Sequence, residues 1–344
     1  MMIAALFLIL IIVLSLPFIF KKAEENLELF LFIMGLAAIS VTSQWSFHII
    51  EEALVAPIKI TVAVLIAGLL FRELKGFIGK NLERTIKITG LRFFSFLLVF
   101  FLGLLSSGIT AIISALVLVE IITHLKLDKE HETKLVILCC FSIGFGSALT
   151  PIGEPLSAIA TAKLKDAPYF AGFWFLAAHL WFYIISALFI FSTIALYISG
   201  SKLSKEAGLK EQSGETFRDI LARTGKIYIF VMALIFLGTG FKPLIDNYIA
   251  LISPEILYWI NTLSAVLDNA TVASAEISPG MSLYQIKSAL IALLISGGML
   301  IPGNIPNIIA ANKLGIKSKD WAKFGIPLGV VVLGFYFIVL LFLH

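Results

Sequence analysis

The 344-residue chain is 59% hydrophobic and 14% charged, with a formal net charge of +4 and a mean hydropathy of +1.01. A soluble domain carries about 25% charged residues. So few charges cannot cover a water-facing surface, which excludes an ordinary soluble domain and makes lipid the solvent for much of the chain. The small net charge gives no sign of a nucleic-acid partner, and none is expected.

A membrane-spanning helix needs roughly 20 apolar residues. The runs Ile3–Phe20, Ala56–Phe71 and Phe324–Leu343 reach or approach that length. The first run lacks a charged leader and a small-residue cleavage site, and reads as a retained helix rather than a signal peptide. Cys139 and Cys140 are adjacent in an apolar run and read as small packing residues. Trp45, Trp174, Trp181, Trp259 and Trp321 fall largely near predicted helix ends, as an interfacial aromatic belt would.

Basic residues cluster in the breaks Arg72–Arg92, His124–Lys134, Gly200–Lys226 and Asn312–Lys323, which places all four on the cytoplasmic side. Between Arg92 and Lys126 lies one apolar stretch of about 30 residues, too long for one helix and too short for two full spans. A re-entrant hairpin turning at Ser106–Thr110 resolves this. Between Lys242 and Lys287 there is no Lys or Arg, and Asp268-Asn269 interrupts the apolar run, which predicts a second hairpin entering from outside. The short break Thr161–Pro168, with Lys163 and Lys165, then falls outside against the charge rule. The predicted elements are N-terminal scaffold helices, a hairpin, a broken helix (about 135–160) and a long helix (about 169–199). A helix (about 227–250), a second hairpin, a second broken helix (about 287–312) and a last helix (about 324–343) follow, with both termini outside the plasma membrane.

The halves repeat. At an offset of 150 residues Gly153, Ile159, Ala160, Lys163 and Leu164 meet Gly303, Ile309, Ala310, Lys313 and Leu314. At an offset of 161, the hairpin tip Ser107-Gly-Ile-Thr110 meets Asp268-Asn-Ala-Thr271. The expected fold is an all-α membrane protein: an inverted-repeat secondary transporter with two re-entrant hairpins and two broken transmembrane helices. Its segments are scaffold helices (1–90), repeat 1 (91–200), a cytoplasmic linker (201–226) and repeat 2 (227–344).

The chemistry concentrates at the interruptions. Pro151, Gly153 and Pro155 break the first helix, and Pro302, Gly303 and Pro306 the second. Unwound backbone frees carbonyl oxygens that can ligate a small cation. Glu154 and Asp268 are acids in apolar surroundings, which costs on the order of 3 kcal/mol on insertion scales. Each is retained with a partner, a proton or a cation, and either can exchange a proton for a cation. Asn269, Thr271, Asn304, Asn307, Ser107, Thr110, Thr150 and Ser157 supply neutral oxygens for a hard-cation shell, or else serve as caps and turn residues. Glu120 and Glu276, on the hairpin return helices, are secondary candidates, and His179 reads as a packing residue. No metalloprotease, phosphate-loop or serine-hydrolase motif occurs, so no catalysis and no resident cofactor is expected.

On Gly146–Ser157, Gly297–Asn307 and Leu267-Asp-Asn-Ala-Thr271 the chain resembles the ion transporter superfamily, from about Phe93 to the C-terminus. That group includes NhaD-type sodium/proton antiporters, arsenite pumps and divalent-anion/sodium symporters, and the likeness looks closest to a poorly characterised family of predicted cation transporters. The resemblance implies a dimer-forming scaffold and a mobile transport subdomain, with a bilayer and small ions as partners. In the symporter branch both hairpin tips read Ser-Asn-Thr, whereas here they read Ser107-Gly-Ile-Thr and Asp268-Asn-Ala-Thr. The expected function is sodium/proton-like antiport with Asp268 and Glu154 binding the transported cation. The alternatives are a sodium-coupled carboxylate or oxyanion symporter, and an intramembrane enzyme or structural subunit.

Overall fold

The computed structural model describes residues 2–20, 22–23, 26–55, 57–58, 61–62, 65–66, 69, 85–86, 88–125, 128–198, 217–248, 253–267 and 269–342. The described residues contain helices and turns and no strand. In chain order the named helices are α1 (Met2–Ile19), α2 (Leu27–Val41), α3 (Leu91–Ile109), α4 (Ala111–Leu125), α5 (Lys129–Ser147), α6 (Pro155–Lys163) and α7 (Phe175–Ile198). Then come α8 (Phe217–Tyr248), α9 (Pro254–Ile260), a 3-10 turn (Asn261–Leu263), α10 (Ser264–Leu267) and α11 (Asn269–Glu276). The chain closes with α12 (Leu283–Met299), a 3-10 turn (Ile301–Gly303), α13 (Ile305–Leu314) and α14 (Ser318–Phe342). Among the described residues, four stretches are long and apolar enough to cross a membrane: Leu91–Ile109, Phe175–Ile198, Thr224–Pro243 and Ser318–Phe342.

Local chemistry sets the helix ends. The Asp128 carboxylate accepts from the backbone N–H groups of Glu130 and His131, each at 3.1 Å, and so caps α5. Ser282 and Gln285 exchange backbone bonds in a capping box that starts α12. The α3 helix runs through Ser106-Ser107-Gly108, so the turn is confined to Thr110, whose φ of 75° reverses the chain. The long helix begins at Phe175, later than the sequence predicts, because Lys165–Trp174 is taken up by turns. The α8 helix begins at Phe217, inside the stretch expected to be linker, and residues 201–216 lie outside the described residues.

α5 and α12 form the centre. Leu135–Ser147 and Ser288–Met299 are buried without interruption, as a helix enclosed on all sides must be. By contrast α3, α7 and α14 expose large apolar side chains such as Phe101, Trp181 and Val331. Trp45, Trp174, Trp181 and Trp259 are likewise exposed. Trp321 corrects the belt reading, since it is fully buried and its indole N–H donates to the Gly298 carbonyl at 3.1 Å. Cys139 and Cys140 are free and buried, as expected.

Lipid tails are as apolar as Leu, so membrane helices associate through close packing at small residues rather than water exclusion. The α3–α5 seam shows this. Ser142 donates to the Val99 carbonyl at 2.8 Å, and Ser106 reaches the Ile143 carbonyl at 3.0 Å. A Cβ at Gly146 would lie 1.7 Å from the Gly103 carbonyl oxygen. On the other flank, Gly325 and Gly329 of α14 admit Met299.

The first turns of α5 and α14 flank one cavity of about 680 Å³, lined by Lys129, Lys134, Asp320 and Lys323 among others. Two of the basic breaks therefore meet on a single face.

Gly146→Ala should lower thermal stability in detergent by about 1–3 kcal/mol, because backbone must move to admit the methyl group. Gly334→Ala, inside α14 and with no atom within 4 Å of the new methyl, should not lower the melting temperature and should raise it slightly, since alanine favours a helix over glycine.

Candidate functional site

Between α5 and α6, and again between α12 and α13, the chain leaves helical geometry. Pro155 is the first residue of α6 and Pro306 the second of α13, where the missing N–H costs nothing. Pro151 and Pro302 lie inside the breaks. Glu154 (φ −155°, ψ 164°) and Asn304 (φ −154°, ψ 147°) precede the two half-helices in the same extended conformation.

The same bonds recur in both breaks. Gly153 donates to the Thr150 carbonyl at 3.1 Å, and Gly303 to the Leu300 carbonyl at 3.3 Å. The Ser157 hydroxyl lies 2.7 Å from the Thr150 carbonyl and 3.4 Å from that of Ser147. The Asn307 amide donates to the carbonyls of Leu300 (2.9 Å) and Gly297 (2.7 Å). A side chain at Gly153 would strike the Ser147 carbonyl at 1.9 Å, and one at Gly303 the Gly297 carbonyl at 2.6 Å. Every one of these pairs is related by 150 residues.

The two breaks differ in hydrogen-bonding capacity. Ser157 has one proton and lies within reach of three carbonyls, the third being that of Glu154 at 2.8 Å. Asn307 has two N–H donors, and both are used. Those carbonyls fix the orientation of its amide, since a flipped group would set oxygen against oxygen. The Asn307 Oδ1 atom is then a buried acceptor with no hydrogen-bond partner.

The breaks touch each other. Asn304 Nδ2 lies 3.5 Å from Glu154 Oε2, at the outer limit of a hydrogen bond. Both residues are buried, at 3% and 4% exposure. Gly144 makes room for this contact, since a Cβ there would lie 2.9 Å from Asn304 Nδ2. The residues that precede α6 and α13 thus meet through their side chains, and Glu154 itself stands at the N-terminus of α6, where the helix carries partial positive charge.

Each break is also held by a neighbouring turn. The Ala111 N–H donates to the Gly153 carbonyl at 2.8 Å, and the Thr150 hydroxyl to the Ser107 carbonyl at 2.5 Å. In the second half Gly303 lies against the Ala265 carbonyl and Gly297 against Asn269. Asn269 is buried at 2% exposure, and its Nδ2 has no partner.

The structure therefore brings together Glu154, Thr150, Gly153, Ser157, Asn304, Asn307, Gly303 and Asn269. Ser107 contributes its carbonyl, while its hydroxyl is occupied by the Leu104 carbonyl at 2.8 Å. Thr110 acts as a cap, accepting from the Ile113 N–H at 3.3 Å. Thr271 falls within α11, its side chain outside the described part, and Asp268 lies outside the described residues. His179 packs edge-on against Phe175 at 4.6 Å, and Glu120 sits 3.5 Å from His124 on the far end of α4. Sequence reasoning missed Gly144 and the Trp321–Gly298 bond. Neither residue lies in a break, so no local signal marks it. Among the described residues no group of three or more His, Cys, Asp or Glu side chains is placed to hold a metal ion.

Buried interrupted helices within a shell of long apolar ones define an all-helical membrane protein. The chain belongs to the family described as "Protein of unknown function (DUF1646)", which matches residues 3–343. No curated protein matches the chain.

Asn307→Ala should destabilise the fold more than Ser157→Ala, by about 2–5 against about 1–2 kcal/mol, because it strands two buried carbonyls rather than one. Denaturant or thermal unfolding of the two variants in the same detergent measures the difference.

Proposed function

We propose that this protein is a secondary active cation transporter, a sodium/proton-like antiporter working by alternating access, rather than an enzyme. One observation carries the reading: two interrupted helices meet at a single buried carboxylate, Glu154, beside carbonyl and amide oxygens. A carboxylate buried in a membrane protein marks an ion pathway by default, and broken helices at a repeat interface are where transporters bind their ions.

The finer architecture in this reading is a pair of inverted repeats. The recurring bonds 150 residues apart support it. So does reciprocal packing, in which α4 packs on α13 while α11 packs on α6. Residues at matching positions, Glu154 and Asn304, also touch, as they must if they flank the axis relating two copies. The segments α3–α4 and α9–α11 are then re-entrant hairpins entering from opposite faces. The shared cavity of the α5 and α14 first turns fits a common cytoplasmic side, with the termini outside the plasma membrane. A homodimer through the scaffold helices completes this picture.

The electrostatics favour a cation over an anion as cargo. Half-helix N-termini facing a transport site suit an anionic substrate. Here Glu154 already stands at the start of α6 beside Asn304 at the start of α13, so the position an anionic substrate would take is filled by the protein's own carboxyl group. Asp268 adds a second acid at the tip of the second hairpin.

Sodium added to everted vesicles should dissipate an imposed proton gradient, and Glu154→Gln or Asp268→Asn should each slow that exchange at least about tenfold, a loss of about 1.4 kcal/mol. No response to sodium between about pH 6 and 9, a range bracketing a buried carboxyl, would contradict antiport. Sodium-dependent uptake of a labelled dicarboxylate or oxyanion that survives Asp268→Asn would favour the symporter instead.

A further inference from the structure

A second buried acid lies away from the helix breaks. Glu276 is the last residue of α11 and is 8% exposed. Asn261, 1% exposed, donates from Nδ2 to Glu276 Oε1 at 3.1 Å. The other carboxyl oxygen, Oε2, is buried with no hydrogen-bond partner. The pair bridges the 3-10 turn before α10 and the end of α11.

Among the side chains the structure describes, none sets a countercharge on Glu276. α11 packs on α6, α8, α10 and α12. The described charged groups on these helices are Lys163 on α6, Arg218, Lys226 and Lys242 on α8, and Lys287 on α12, and the phenols are Tyr228 and Tyr284, while the side chains of Asp219, Arg223, Asp246 and Tyr248 on α8 lie outside the described part. None of the described groups forms an ion pair or hydrogen bond with Glu276. Glu276 also stands at the C-terminal end of its helix, where the backbone dipole opposes negative charge. This is the reverse of Glu154, which stands at the N-terminus of α6.

A hard cation gathers about six oxygens, whereas the Glu276 carboxyl has a single oxygen left without a partner. A proton needs only one. Just beyond, Ser278 and Gly280 are exposed, while the start of α11 at Asn269 is buried beside the second break. The eight-residue helix spans about 10 Å between them.

We propose that Glu276, oriented by Asn261, is the proton-carrying carboxyl of the transport cycle, a station between solvent and the central chamber. In this step a hydronium O–H bond breaks at the exposed end, an O–H bond forms at Oε2, and the proton is released when the chamber opens to the other side. The inference rests on the antiport reading and names the group that carries the exchanged proton.

The test uses the full chain reconstituted in liposomes, with three readouts: infrared detection of protonated carboxyl groups across about pH 6 to 9, equilibrium sodium binding, and sodium-driven proton flux. Glu276→Gln keeps the Oε1 acceptor and the side-chain shape. It should remove one protonated-carboxyl band, leave sodium affinity within about twofold, and reduce proton flux at least about tenfold. Glu276→Asp, which keeps a titratable group, should restore part of the flux with a displaced pH profile. If the wild type exchanges ions and Glu276→Gln does so with the same pH profile and an unchanged infrared spectrum, the assignment is overturned while antiport stands. If the wild type shows no sodium-driven flux at all, the antiport reading falls and the coupling role of Glu276 falls with it.

Discussion

The constraint that organises this molecule is the need to satisfy backbone carbonyls where two helices are interrupted inside a lipid-enclosed core. Away from water an unmet peptide group costs several kcal/mol. The chain meets this by folding one polar side chain back onto each break: Ser157, with its single proton, nearest the Thr150 carbonyl, and Asn307 onto the carbonyls of Gly297 and Leu300. Much of the surrounding packing supports these two arrangements. Gly153 and Gly303 permit the tight return, Trp321 takes up the Gly298 carbonyl, and Ala111 takes up that of Gly153.

The same solution prepares a site. Both half-helices begin inside the protein, and the residues that precede them, Glu154 and Asn304, meet side chain to side chain. A charge on Glu154 suits its helix N-terminus, whereas a charge on Glu276, at a helix C-terminus, does not suit its place. Two buried acids in opposite backbone fields are suited to different tasks, one to attracting a cation and the other to holding a proton. In the proposed mechanism their separation lets one chain distinguish the two ions it exchanges.

Much of this was legible in the sequence. Pro151, Gly153 and Pro155, with Pro302, Gly303 and Pro306, mark the breaks because proline and glycine leave a direct signature in backbone geometry. The offset of 150 residues also predicted that Glu154 and Asn304 correspond, and they touch. Other features were not legible. The turn of the first hairpin was expected across Ser106–Thr110, yet Ser106 and Ser107 bond back to carbonyls of their own helix and keep it helical as far as Ile109. The same back-bonding commits the Ser107 proton to the Leu104 carbonyl. Trp321 was assigned to the interface from its position near a helix end, but its buried role depends on a carbonyl 23 residues away. Glu276 read as a secondary candidate because its place in the sequence suggested the outer interface, whereas its burial and its bond to Asn261, 15 residues earlier, leave no local signal.

The central claim is that both halves of the chain build one cation chamber. Equilibrium binding of radiolabelled sodium to the purified protein, compared with Glu154→Gln from the first break and Asn307→Leu from the second, tests it most directly. The account predicts saturable binding in the wild type that either substitution alone abolishes, in protein that still elutes as a folded species. Saturable binding that survives one of the two substitutions undiminished, or no saturable binding in the wild type, would contradict it.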